Sequence, residues 1–261
     1  MISMTIQILP PDEAAKKARE RVAEWKRQRE IEAKKARAES KTMVEPPAYS
    51  SRTPQQTKPL RLPRGNVRNL FDQFVECIRK KDLNGVAELI SNGADVNSRN
   101  WDGRTPLLIA AVYGRRKIME LLIDKGADLN AKLIDGKSVL YSTIFLNKIK
   151  ICKLLIDNGA NINAKTLDGN TALMEAAGLG FSKIVKFLIE KGAKVNARND
   201  WGNTALLAAA ASGHTETVEM LIEKGADVNA GTNDGRTALV LANMNEHTET
   251  AEMLKKHGAI K

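Results

Sequence analysis

The residues of this chain with the chemistry to catalyse are few. There are three histidines, His214, His247 and His257, and two cysteines, Cys77 and Cys152, in 261 residues. A metal site or an activated nucleophile needs such groups at short ligand spacing, or beside a phosphate loop, a nucleophile elbow or an HExxH helix. None of these patterns occurs in the sequence. Both cysteines lie in apolar helical patterns, where a thiol acts as a small hydrophobe. They read as buried residues of a protein from a reducing, cytoplasmic compartment. Aspartate does recur, in Asp102-Gly103, Asp135-Gly136, Asp168-Gly169 and Asp234-Gly235. Asp-Gly is a turn signature, because glycine supplies the positive φ of a tight turn. It is not a catalytic acid pair. The chemistry on offer is noncovalent, so the sequence predicts no enzyme, no cofactor and no metal site.

The elements that carry these residues repeat. Gly93, Gly126, Gly159, Gly192, Gly225 and Gly258 fall at intervals of 33 residues. The first five open Gly-Ala-Asp-Val-Asn or a close variant, as in Gly-Ala-Asn-Ile-Asn at 159–163. A chain with such a period builds one small unit several times and stacks the copies. Each unit reads as a turn and two helices. Thr105, Ser138, Thr171, Thr204 and Thr237 stand where a first helix begins and can cap its free N–H groups. Pro106 follows at the first helical position, where its missing donor costs nothing. Pairs such as Ala110-Ala111, Ala176-Ala177 and Ala209-Ala210 let that helix approach its neighbours, and Gly114, Gly180 and Gly213 end it. A second helix carries Ile118, Leu121, Leu122 and Ile123 or equivalents, and the interval glycines close it.

These residues resemble the ankyrin repeat family: Asp-Gly-x-Thr-Pro-Leu at 102–107, the alanine pair and Gly-Ala-Asp-Val-Asn, at that family's period, over about 70–261. The resemblance implies an all-α repeat solenoid of about six stacked repeats. They would comprise an amino-terminal cap at 70–99, repeats at 100–132, 133–165, 166–198 and 199–231, and a carboxyl-terminal cap at 232–261. The histidine usual after Pro-Leu is replaced by Leu108, Tyr141, Met174, Leu207 and Val240, so apolar packing is expected where that family has a side-chain hydrogen bond. Glu246 stands where a helix-ending glycine is expected, which suits a loosened terminal cap.

The resemblance also implies binding of a partner protein through a concave face made by turn tips and first helices. The positions there that do not repeat are the ones expected to choose the partner. They include Trp101, Arg104, Tyr113, Ile134, Lys137, Phe145, Leu146, Leu167, Leu179 and Trp201. Aromatic and central apolar side chains dominate interface energies. Just before each turn stands a cation: Arg99, Lys132, Lys165 and Arg198. Spaced at roughly 10 Å by helix packing, this row would serve solubility or meet an acidic complement on the partner. Repeat 133–165 departs most, with Thr143 and Ile144 in place of the alanine pair, and function is expected where the rule breaks.

The rest of the chain differs in kind. The whole sequence carries a formal charge of +10. Residues 1–70 hold 16 Lys and Arg against 8 Asp and Glu, a net of +8, and the remainder 25 against 23, a net of +2. Residues 1–11 read as a flexible terminus without the features of a secretory signal. Residues 12–40 read as a charged amphipathic helix, rich in Ala, Glu, Lys and Arg, whose thin apolar stripe is broken at Arg29 and Glu32. Such a stripe suits a solvated helix, or one that waits for a partner in the manner of a coiled coil. Residues 41–69 read as a Pro-rich, basic linker. This arm is expected to meet an acidic protein surface or nucleic acid, the latter raising the alternative of a ribonucleoprotein subunit. Pro46, Pro47 and Tyr49 have the Pro-Pro-x-Tyr spacing that WW domains recognise. No apolar run reaches the roughly 18 residues of a membrane span.

Overall fold

The computed structural model describes residues 70–260. The sequence readings for 1–69, including the helix at 12–40, the linker and Pro46-Pro47-Ala48-Tyr49, lie outside the described residues. Among the described residues there are twelve helices and only isolated bridges in place of strands. The inner helices are α1 (Leu70–Lys80), α3 (Pro106–Tyr113), α5 (Val139–Ile144), α7 (Ala172–Gly178), α9 (Ala205–Ala211) and α11 (Ala238–Met244). Each is followed by an outer helix: α2 (Leu83–Ser91), α4 (Arg116–Asp124), α6 (Ile149–Asp157), α8 (Ser182–Glu190), α10 (Thr215–Glu223) and α12 (Thr248–Lys256). Every inner helix packs on its own outer helix and on the next inner helix, so the chain is an all-α solenoid.

The local rules explain this regularity. The Oγ atoms of Thr105, Ser138, Thr171, Thr204 and Thr237 each accept from the backbone N–H three residues on, which caps helices α3, α5, α7, α9 and α11. The outer helices end in a left-handed glycine, φ 85° to 95° at Gly126, Gly159, Gly192, Gly225 and Gly258. The N–H of the alanine that follows then reaches back into the last turn, as Ala160 does to the Leu155 carbonyl at 2.9 Å. Small residues line the inner layer: Ala110, Ala176, Ala209 and Ala242 are fully buried. Leu122, Leu155, Leu188 and Leu221 are fully buried at equivalent points of the outer helices. The core is thus one continuous apolar seam between the two helical layers.

Two sequence expectations change. Glu246 does not loosen the last unit. It adopts φ 60°, and the His247 N–H bonds the Ala242 carbonyl at 2.9 Å, as the His214 N–H bonds Ala209 at 3.0 Å after Gly213. The stack imposes the left-handed geometry, and the glutamate bears its steric cost. In repeat 133–165 the departures Thr143 and Ile144 point inward and are fully buried. The Thr143 hydroxyl donates to the Leu140 carbonyl at 2.7 Å and lies 3.6 Å from the Cys152 sulfur. That substitution repacks the core, and burial pushes the Cys152 thiol pKa up. Cys77 is only partly buried, and both thiols are free.

Candidate protein-binding groove

Three sets of hydrogen bonds fix the turns and inner helices that carry the candidate site residues. Each turn closes on itself, as in Asn100 N–H to Arg104 carbonyl at 3.1 Å and Asn199 N–H to Asn203 carbonyl at 3.0 Å. Each tip is also tied to the next: Ile134 N–H to the Asp102 carbonyl, Leu167 to Asp135, Asp200 to Asp168 and Asn233 to Trp201, at 2.9 to 3.4 Å. The turn glycines make this approach possible. A Cβ on Gly136 would stand 2.5 Å from the Leu167 nitrogen.

The second set uses the asparagine that ends each Gly-Ala-x-x-Asn segment. The Asn196 side-chain amide donates to the Gly225 carbonyl at 2.8 Å, and its Oδ1 accepts from the Asp227 N–H at 2.9 Å. Asn97, Asn163 and Asn229 make the same two-point bridge to the following repeat, and Asn130 accepts from Asn161. The sequence displays these asparagines at 33-residue spacing, and that spacing was the signal for the bridge.

The third set involves the cation row. Arg99 donates to the Lys132 carbonyl at 2.8 Å, Lys132 to Lys165 at 3.0 Å, Lys165 to Arg198 at 2.9 Å and Arg198 to Gly231 at 2.6 Å. Each cation reaches one repeat on and binds the backbone of its own equivalent, so the row has an intramolecular task. Two of the three histidines also bind a backbone carbonyl of a neighbouring repeat, here the preceding one. His214 Nε2 lies 3.0 Å from the Gly178 carbonyl, and His247 Nε2 lies 3.1 Å from the Ala211 carbonyl, at the ends of α7 and α9. Arg115 and Lys148 occupy the equivalent place and donate to Ile78 and Arg79, and to Val112. Phe181 has no donor to offer there, and the inner helix one repeat before its own, α5, is the shortest at six residues.

The predicted groove residues fall on the turns and the ends of the inner helices. Trp101 is 82% exposed, Leu167 71%, Trp201 54% and Phe145 51%. Tyr113, Leu146 and Leu179 are also exposed, and Ile134 is half-buried. Some of them touch. The Lys137 ammonium lies 6.0 Å from the centre of the Phe145 ring, and Phe145 stands 6.0 Å from the Tyr141 ring. Arg115 stacks over Tyr113 at 5.7 Å. Arg104 pairs with Asp102 at 3.4 Å and Lys137 with Asp135 at 2.8 Å, within their own turns.

Sequence reasoning missed one polar contact. Tyr141 holds the place expected to pack by apolar contact alone, and its ring is buried. Its hydroxyl donates to Glu175 Oε2 of the next repeat at 2.5 Å. Burial and the carboxylate together push the phenol pKa well above its usual range. Beyond Glu175 the face deepens into a depression of about 470 Å³, lined by Met174, Gly178, Leu179, Asn203, Ala208 and Ala211 among others. A second depression of about 350 Å³, with Trp201 on its wall, shares Asn203 and Leu241 with it.

A family model described as ankyrin repeats (3 copies) matches residues 74–133, 132–199 and 173–261. A search of curated proteins found no match. Ankyrin repeats are generally protein–protein interaction modules. The matches run through all the helix pairs described above and span well over half of the sequence, and the chain belongs to the ankyrin repeat family.

Proposed function

We propose that this protein is a non-catalytic scaffold or adaptor that binds a partner protein through the groove face of its ankyrin stack. One observation carries the reading: Trp101, Tyr113, Phe145, Leu146, Leu167, Leu179 and Trp201 all leave apolar surface uncovered along successive repeats. An exposed apolar row of this kind marks an interaction site. Arg104 and Lys137 belong to the same face and orient the ligand, and Arg99, Lys132, Lys165 and Arg198 flank it. The charged arm supplies a second contact with an acidic surface. Its net +8 in residues 1–70 also favours a second reading, an RNA- or DNA-associated subunit anchored by that arm. Glutamates interleaved with the cations rank this second.

The test is binding of a captured partner to the full chain and to Trp101→Ala, Tyr113→Ala, Phe145→Ala and Trp201→Ala. At least one of the four is expected to weaken binding by about 2 kcal/mol or more with the fold retained. If all four bind normally, the partner uses another face. Salt-sensitive binding of nucleic acid by residues 1–69 alone supports the second reading.

A further inference from the structure

We propose that the depression beside Glu175 receives one long cationic side chain, lysine or arginine, from an extended segment of the partner protein. This deepens, and rests on, the reading of the groove as a protein-binding face. Gly178, Ala208 and Ala211 are among the residues lining the depression, and at these three positions nothing larger than a methyl group projects into it. The equivalents of Gly178 in the two preceding repeats, Val112 and Phe145, are large and exposed. The groove therefore changes along its length, from bulky apolar side chains to an opening.

Charge specifies the occupant. Glu175 lines the depression and is half-buried. Its equivalents Ile109, Ser142, Ala208 and Leu241 carry no charge. The Tyr141 hydroxyl holds one of its carboxylate oxygens. Tyr141 is a neutral donor, so the negative charge remains. Among the described residues no Lys or Arg forms an ion pair with Glu175, Asp168 or Asp200. The turns on either side behave differently: Asp102–Arg104, Asp135–Lys137 and Asp234–Arg236 are each closed by a cation. In the two repeats that form the depression, Asn170 and Asn203 take the place of that cation. The nearby row of Lys165 and Arg198 is tied to backbone carbonyls. Negative charge is thus left open where the surface is recessed.

A lysine or arginine stem suits the apolar lining of Met174, Leu207 and Ala208, and its head meets the other oxygen of Glu175. Trp201, in the adjoining depression, offers an aromatic face to the same cation or its neighbour. Leu179 and Phe145 can take apolar residues on the same ligand strand. A phosphate backbone would meet the Glu175 carboxylate here with no cation among the lining residues, which favours a cationic side chain over nucleic acid as the occupant.

The test uses random 12-residue peptides displayed on phage, selected against the full chain, then synthesised and measured by fluorescence anisotropy. The expected ligands carry Lys or Arg at a fixed position beside apolar residues. Replacing that cation by Met lowers affinity about tenfold or more. Glu175→Gln does the same, and so does Ala211→Leu, which fills the depression from a partly exposed position. Circular dichroism confirms that both variants remain folded. Peptides that depend on Phe145 or Trp201, lack a cation preference and bind Glu175→Gln unchanged would overturn the cation site and leave the groove reading standing. Peptides indifferent to Phe145→Ala, Trp201→Ala and Glu175→Gln alike would overturn both.

Discussion

Asn196→Ala removes two hydrogen bonds at once, and both cross from one repeat to the next. The lost contacts are Asn196 Nδ2 to the Gly225 carbonyl at 2.8 Å and Asp227 N–H to Asn196 Oδ1 at 2.9 Å. A net protein hydrogen bond contributes about 0.5–1.5 kcal/mol, and these are solvent-accessible, so the combined loss is about 1–2 kcal/mol. No core contact is removed, because Asn196 is exposed. Stability in a stack is a sum of unit and neighbour terms, so the loss falls on one interface. Equilibrium urea unfolding should show the lower stability, and hydrogen exchange should rise first in α9 to α12, which that interface joins to the rest. Asn158→Ala is the control. Its amide bonds Leu154 at 2.8 Å inside the same unit, so exchange beyond that unit should not change. A change no larger than the roughly 0.5 kcal/mol of an ordinary surface substitution would refute the idea that the asparagine bridge couples the repeats.

Leu155→Ala empties a fully buried site in α6 and should cost about 2–5 kcal/mol. A melting curve that does not move would contradict the register of the outer helices. Glu246→Gly should stabilise the last unit by about 0.5–1 kcal/mol. It removes the cost of a side chain at φ 60° and adds unfolded-state entropy that offsets part of the gain. A lowered melting temperature would show that the side chain does more than occupy the turn. Tyr141 should resist ionisation. Its folded pKa lies above the unfolded value near 10, so above about pH 10 the unfolded chain loses this proton first and Tyr141 makes stability fall as pH rises. Ultraviolet titration should find a late-ionising phenol that titrates earlier in Glu175→Gln, and an unchanged late phenol in that variant would disprove the coupling.

The sequence by itself determined the repeat. Glycines at 33-residue intervals, helix-capping threonines and paired alanines are local rules whose cause lies within a few residues. That is why helix starts, helix ends and the buried leucines were legible. Exposure of Trp101, Phe145 and Leu167 was legible too, because they stand at positions where the repeat makes no structural demand, and that of Trp201 because it replaces the aspartate of a surface turn. What the tertiary structure decided is what each polar side chain bonds across 29 to 37 residues of chain. Arg99, Lys132, Lys165 and Arg198 read as a cationic row, and only stacking placed a carbonyl of the next repeat under each one. Thr143 read as a functional departure, and only packing turned it inward against Cys152. Glu175 and Tyr141 gave no signal as a pair, since 34 residues separate them and neither belongs to the repeating motif. A local pattern fixes the geometry of a unit. The partners of a side chain at its edge depend on the neighbour that the stack brings beside it, because a hydrogen bond needs an acceptor at about 3 Å whatever its place in the sequence.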